Sequence, residues 1–194
     1  MRTSQETRNT KETKVTVSIN LDGSGKSNID TGYKFFNHML EQLACHGAFD
    51  LDIKAESLDG DSHHCVEDVG ITLGKAFLKA LGDKRGITRY SEKTVPMDEA
   101  LVMTVVDISG RAFSKTLIDL NDEKTSDFET ILLPHFFNSF AQNALLTLHI
   151  RMLDGSDTHH IIEAAFKSFA RALREAVSIC EKSKDIIPST KGII

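Results

Sequence analysis

Two stretches about 96 residues apart carry one pattern. Residues 62–68 read SHHCVED and residues 158–164 read THHIIEA, each with a hydroxyl residue, two adjacent histidines and a glutamate three positions beyond the second. The correspondence extends past the motifs: His38 precedes His63 by 25 positions, His135 precedes His159 by 24, and LDI at 51–53 falls opposite LHI at 148–150. Self-similarity at a fixed period marks one structural unit used twice, so the two halves must share a fold.

The unit is legible in its apolar spacing. KVTVSINL (14–21) alternates as a half-buried strand, DGSGK is turn chemistry and SNID starts a second strand, which together predict a hairpin. YKFFNHMLEQLACHG places Phe36, Met39, Leu40 and Leu43 at helical spacing and stops at Gly47. FDLDIKAE then alternates as a strand, and residues 62–82 read as a helix opening near Ser62 and closing at Gly82. The second half predicts strands over EALVMTVVDI and RAFSKTLIDL, a helix over 129–146, a strand over TLHIRML and a helix over 158–181. The expected architecture is α+β: a duplicated module, residues 1–84 and 85–194, with two antiparallel sheets and four α-helices packed on or between them.

Composition narrows the partners. The formal net charge of −5 offers no global positive field for nucleic acid, so an anionic ligand must be held by a local basic cluster. Cys45, Cys65 and Cys180 are odd in number and form no CxxC pair, which predicts reduced thiols in a cytoplasmic protein. The polar stretch MRTSQETRNTKET lacks the apolar core of a signal peptide, and no segment approaches the length of a membrane span.

Six of the eight histidines fall at equivalent places: His38 with His135, His63 with His159, His64 with His160. A lone histidine beside apolar residues is ordinarily a core or surface group, and His46 and His149 read that way. Six at repeated positions, with Glu67 and Glu163 following, read as a metal-donor set. Residues three apart share a helix face, so the spacing predicts that His64 acts with Glu67 and His160 with Glu163, while His63 and His159 point about 100° away. Six imidazoles and two carboxylates suffice for two sites of three His and one Glu. Repeat logic groups His38, His64 and Glu67 with a His159, and His135, His160 and Glu163 with a His63. Mixed N/O ligation suits Mn, Fe or Zn.

FFNHMLEQLACHG, HHCVEDVGITLGKA, MDEAL, DISGR, HHIIEAAFKSFARAL and PSTKG occur in the order in which they occur in the imidazoleglycerol-phosphate dehydratases, and from about Arg8 onward the chain resembles that family. The resemblance implies a ribosomal protein S5 domain 2-like fold, a 24-subunit homo-oligomer, and two Mn²⁺ per active site bound between subunits. It implies loss of water from imidazole glycerol phosphate to give imidazole acetol phosphate in histidine biosynthesis. It also nominates Glu12 as a catalytic and substrate-contacting residue and Glu163 as a ligand that can accept a proton. Gln42, His46, Arg89, Arg111, Lys167, Ser189 and Lys191 are nominated for substrate and phosphate. Two departures stand beside ligands: Asn37, where the family usually has Asp, and Pro134, where it usually has Glu.

The reaction explains a need for metal. The hydrogen removed sits on a carbon bearing a hydroxyl with no carbonyl beside it, so a simple base meets a high barrier. If metals bound both nitrogens of a deprotonated substrate ring, electron density could expel the neighbouring hydroxyl, after which the next C–H would be acidic and an enol would form and tautomerise. A dinuclear His/Glu metallohydrolase acting on a small phosphorylated substrate would use similar ligands, but HExxH is absent. A metal-storage protein would need no basic cluster.

Overall fold

The computed structural model describes all residues, Met1–Ile194. Strands β1 (Thr3–Asn9), β2 (Thr13–Asn20), β3 (Ser27–Asp30) and β4 (Asp50–Ser57) and helices α1 (Lys34–Gly47) and α2 (Ser62–Leu81) form the first half. Its sheet has the order β1-β2-β4-β3. The second half comprises β5 (Tyr90–Met97), β6 (Ala100–Asp107), β7 (Phe113–Leu117), α3 (Leu132–Ala144), β10 (Thr147–Asp154) and α4 (Thr158–Ala176), with sheet order β5-β6-β10-β7. Between β7 and α3 it adds a small hairpin, β8 (Lys124–Thr125) with β9 (Phe128–Glu129). No helix is long and apolar enough to cross a membrane.

The duplication, the two sheets and the four helices are as expected; each sheet has a fourth strand that the spacing did not predict, and the pairing differs. β3 does not form a hairpin with β2 but runs parallel to β4, as β7 runs parallel to β10, so each sheet is antiparallel except at one edge. The hairpins are β1–β2 and β5–β6. Their outer strands lack the usual apolar alternation: TSQETRN has no apolar residue at all, and YSEKTVPM carries Pro96, tolerated because β5 is an edge. Helix α4 ends at Ala176 rather than Glu181, since Ile179 leaves to bridge Ile87.

The decisive packing crosses the repeat. α2 lies on β1 and β2 of its own sheet and against α3; α4 lies on β5 and β6 and against α1. The four helices thus fill the space between the sheets in two cross-half pairs around one continuous core. Phe36 meets Phe136 edge-on, Phe136 stacks on Phe166, and Phe140 contacts both Phe77 and Phe169, at centroid distances of 5.2–5.5 Å. Gly74 permits the closest approach: a Cβ there would stand 2.6 Å from the Phe140 carbonyl oxygen on α3. Helix pairing of this kind puts a histidine of α1 opposite the motif of α4, and one of α3 opposite the motif of α2.

Candidate metal centre and anion cleft

The first cluster lies between α1 and α4. His38 Nε2 is 3.2 Å and His159 Nε2 3.1 Å from the same oxygen, Glu163 Oε2, while Lys167 Nζ lies 2.7 Å from Oε1. Glu163 is buried; desolvation opposes its ionisation, but Lys167 and the two imidazoles outweigh it and hold the carboxyl below its ordinary range. Behind His38, the Gln42 amide spans His38 Nδ1 at 3.5 Å and His46 Nε2 at 3.1 Å. Burial, then the charges of Lys167 and Arg171, push the His46 imidazole below its usual value. Residues 38, 42 and 46 on α1 thus face 159, 163, 167 and 171 on α4, each a stripe at four-residue spacing.

Within one chain the side chains make contacts other than the grouping predicted from spacing. The imidazole that meets each carboxylate is four residues before it, not three: His159 with Glu163, and His63 Nε2 3.9 Å from Glu67 Oε2. Both spacings share a helix face, and the partner helix decides between them. Within this chain His38 does not meet His64 and Glu67, because α1 packs on α4. The counterpart cluster lies between α2 and α3, where the His63 and His135 rings are 4.6 Å apart. It is more open: the Glu67 side chain is 43% exposed and Glu163 only 8%.

His64 and His160 turn to carboxylates elsewhere. His64 Nδ1 is 2.7 Å from Asp59 Oδ2, and Glu12 is close enough to form a three-residue donor group with them. His160 Nδ1 is 2.8 Å from Glu99 Oε2. Each carboxylate raises its imidazole above the usual value, and the His160 contact with two backbone amides draws Glu99 down to about 2. Asp59 and Glu99 escaped the sequence reading. The signal was available for Glu99, which immediately precedes β6 as Glu12 precedes β2.

The two departures are locally accounted for. Asn37 Oδ1 accepts from the Thr31 amide at 2.9 Å and the Thr31 hydroxyl at 2.6 Å, bonds an aspartate would accept equally. Pro134 is the third residue of α3, where a missing N–H costs no helical bond. The start of α1 has no cap of its own; Asp127, between β8 and β9, accepts from the Lys34 and Phe35 amides at 2.7 and 2.9 Å.

Arg89, Arg111, Ser189 and Lys191 line one cleft of about 570 Å³. Its outer wall is the C-terminal segment, held by Gly86 N–H to the Ile186 carbonyl and Cys180 N–H to the Gly86 carbonyl. Arg89 is only 12% exposed, with Nε 2.8 Å from Asp107 Oδ1 and Nη1 donating to the Pro188 carbonyl at 2.7 Å. Gly110 has φ +71° and a Cβ there would lie 2.8 Å from the Ile194 carbonyl carbon, so only glycine fits. The nominated residues therefore fall into two places: Gln42, His46 and Lys167 beside the first cluster, and the other four in this cleft.

The donor chemistry fits a divalent ion. Two imidazole nitrogens and one carboxylate oxygen lie within 4.8 Å of one another in the first cluster, the mixed N/O set that first-row metals accept. Residues 31–173 match the family described as imidazoleglycerol-phosphate dehydratase. A Clostridium kluyveri protein of that description is 53% identical over 195 residues, covering all of both chains, and one from Methylobacterium radiotolerans is 52% identical over 193 residues, 99% of each. The crystal structure of imidazoleglycerol-phosphate dehydratase from Staphylococcus aureus superimposes with TM-score 0.83 at 40% identity, covering 92% of this chain and 99% of that one. The Pyrococcus furiosus structure gives 0.84 at 36%, covering 97% and 99%.

Proposed function

The chain belongs to the imidazoleglycerol-phosphate dehydratase family, hydro-lyases of histidine biosynthesis, and from that premise we propose how its own residues divide the work. His38, His159 and Glu163 hold one divalent ion and His63, His135 and Glu67 a second, both Mn²⁺. His64 and His160 of neighbouring copies complete the two sites. The observation that carries this reading is the convergence of His38 and His159 on one buried oxygen of Glu163. When bound, the ions supply Lewis acidity that makes the substrate ring easier to deprotonate.

The protein groups do the rest. The substrate phosphate is taken by Arg89, Arg111, Ser189 and Lys191, where two guanidiniums, an ammonium and a hydroxyl provide charge-assisted donors. Gln42, His46 and Lys167 line the approach to the first cluster and orient the rest of the substrate. Both Glu163 oxygens are engaged, one by imidazoles and one by Lys167, which suits a ligand and leaves it poorly placed as a base. Glu12 is exposed at the β1–β2 turn, so proton transfer to and from substrate carbon and oxygen falls to it. Water leaves as the hydroxyl and the neighbouring C–H proton are lost, and the enol becomes the ketone.

Within one chain His64 and His160 lie apart from the two three-donor clusters, which favours sites completed by neighbouring copies in a 24-subunit particle. The three free cysteines favour a cytoplasmic home. The test is metal analysis with product assay. Wild type should hold about two Mn²⁺ per chain, and Glu67→Gln and Glu163→Gln should each lower metal content and turnover; unchanged metal content in both variants overturns the assignment.

A further inference from the structure

We propose that Glu99 and Asp59 are positioning residues that hold His160 and His64 in one tautomer, with the proton on Nδ1 and Nε2 free to bind metal; this rests on the metal reading above. Glu99 is clamped at both oxygens. Oε1 accepts from the Ser156 and Asp157 amides at 3.2 and 2.8 Å, just before α4, and Oε2 lies 2.8 Å from His160 Nδ1. Asp59 is held the same way. Its Oδ1 accepts from the Asp61 amide at 3.0 Å and the Ser57 hydroxyl at 3.2 Å, and its Oδ2 lies 2.7 Å from His64 Nδ1. A carboxylate so anchored has an acceptor ready for Nδ1–H and no freedom to follow the ring elsewhere, which directs Nε2 outward.

Duplication does not account for this. Asp59 comes from the loop between β4 and α2, where the second half has Gly155 at the position 96 residues on; Glu99 comes from the β5–β6 turn, where the first half has Glu12. Non-equivalent residues thus make the same contact in the two halves. The swap has a consequence. Because Asp59 occupies His64 Nδ1, Glu12 makes no hydrogen bond to that ring although it lies beside it, and remains available for proton transfer. In the second half the equivalent glutamate is consumed in orienting His160, so of the two equivalent glutamates only Glu12 remains free of its histidine.

The test titrates Mn²⁺ into full-length metal-free protein and reads free Mn²⁺ by electron paramagnetic resonance, with thermal unfolding of the same metal-free samples. Glu99→Gln retains an oxygen for the backbone amides, so folding should survive. Glu99→Gln and Asp59→Asn should each weaken Mn²⁺ binding about 10–100-fold, with metal-free unfolding temperatures unchanged. Glu12→Gln should keep wild-type Mn²⁺ affinity while losing turnover. Wild-type affinity in Glu99→Gln and Asp59→Asn overturns the proposal, as does an equal loss of affinity in Glu12→Gln. A wild-type protein that binds no Mn²⁺ overturns the metal reading itself, a different result from variants that bind as wild type does.

Discussion

Gly74→Ala sets two effects of opposite sign against each other. In a helix interior alanine is favoured over glycine by about 0.8–1.0 kcal/mol, so local propensity alone predicts a more stable protein. The structure predicts the reverse. The added Cβ would stand 2.6 Å from the Phe140 carbonyl oxygen, 3.0 Å from Asn143 Cβ and 3.1 Å from the Ala144 nitrogen, and the first and last are backbone atoms that no rotamer change can move. Ordinary contact begins at 3.4 Å, so α2 and α3 must part by about 0.8 Å. A gap of about 0.5–1 Å forfeits a quarter to a half of the dispersion attraction across it, and overpacking of this kind costs about 1–3 kcal/mol. Subtracting the propensity gain leaves a net loss of about 1 kcal/mol. The displacement also reaches the site, because α2 carries His63 and Glu67 and α3 carries His135, and metal–ligand distances tolerate only about 0.2 Å. Denaturant unfolding of chelated protein should therefore show a lower midpoint, and Mn²⁺ should bind more weakly at the site proposed for His63, His135 and Glu67. A variant as stable as wild type with both sites intact would refute the claim that glycine sets the α2–α3 spacing.

Arg111→Ala and Lys191→Ala should raise KM more than tenfold with little loss of stability, since one charge-assisted contact to a dianion contributes about 1.5–3 kcal/mol; Arg89→Ala, which strips Asp107 and the Pro188 carbonyl of a largely buried partner, should lower stability as well, and steady-state kinetics with thermal melts separates the two classes. Burial opposes ionisation of Asp127, but the Phe35 and Lys34 amides hold its folded carboxyl below the ordinary 3.8. The cap it provides is therefore present above that pH and lost as pH falls through the folded value, so the stability gap between wild type and Asp127→Ala should close in acid; a gap independent of pH in urea titrations would assign it to packing instead. If the proposed 24-subunit particle is held by its metals, chelation should convert it into a smaller species, a trimer, with secondary structure retained, and Mn²⁺ should restore particle and activity together; light scattering that shows full mass after verified metal removal would exclude the ions from the interface.

The sequence by itself determined the duplication, the four helices and the donor inventory, because periodicity and residue chemistry are local properties; the basic residues that line the cleft were implied only by the family resemblance. It did not reveal β1 and β5. Their polar faces and Pro96 are acceptable only at a sheet edge, and edges are known once the sheet is formed. It placed β3 in a hairpin with β2, because turn residues such as DGSGK report a reversal but not which strand receives the hydrogen bonds. The grouping of the candidate donors was beyond it for a sharper reason. Three- and four-residue spacings both put a histidine and a glutamate on one helix face, and only the opposing helix selects between them. Tertiary structure made that choice by packing α1 on α4 and α2 on α3, which brought His38 to His159 and, across 125 residues of chain, to Glu163, and left His64 and His160 to Asp59 and Glu99. Contacts so distant in sequence depend on how two copies of a module bury their apolar helices against each other, and that energy resides in the shared core of both halves.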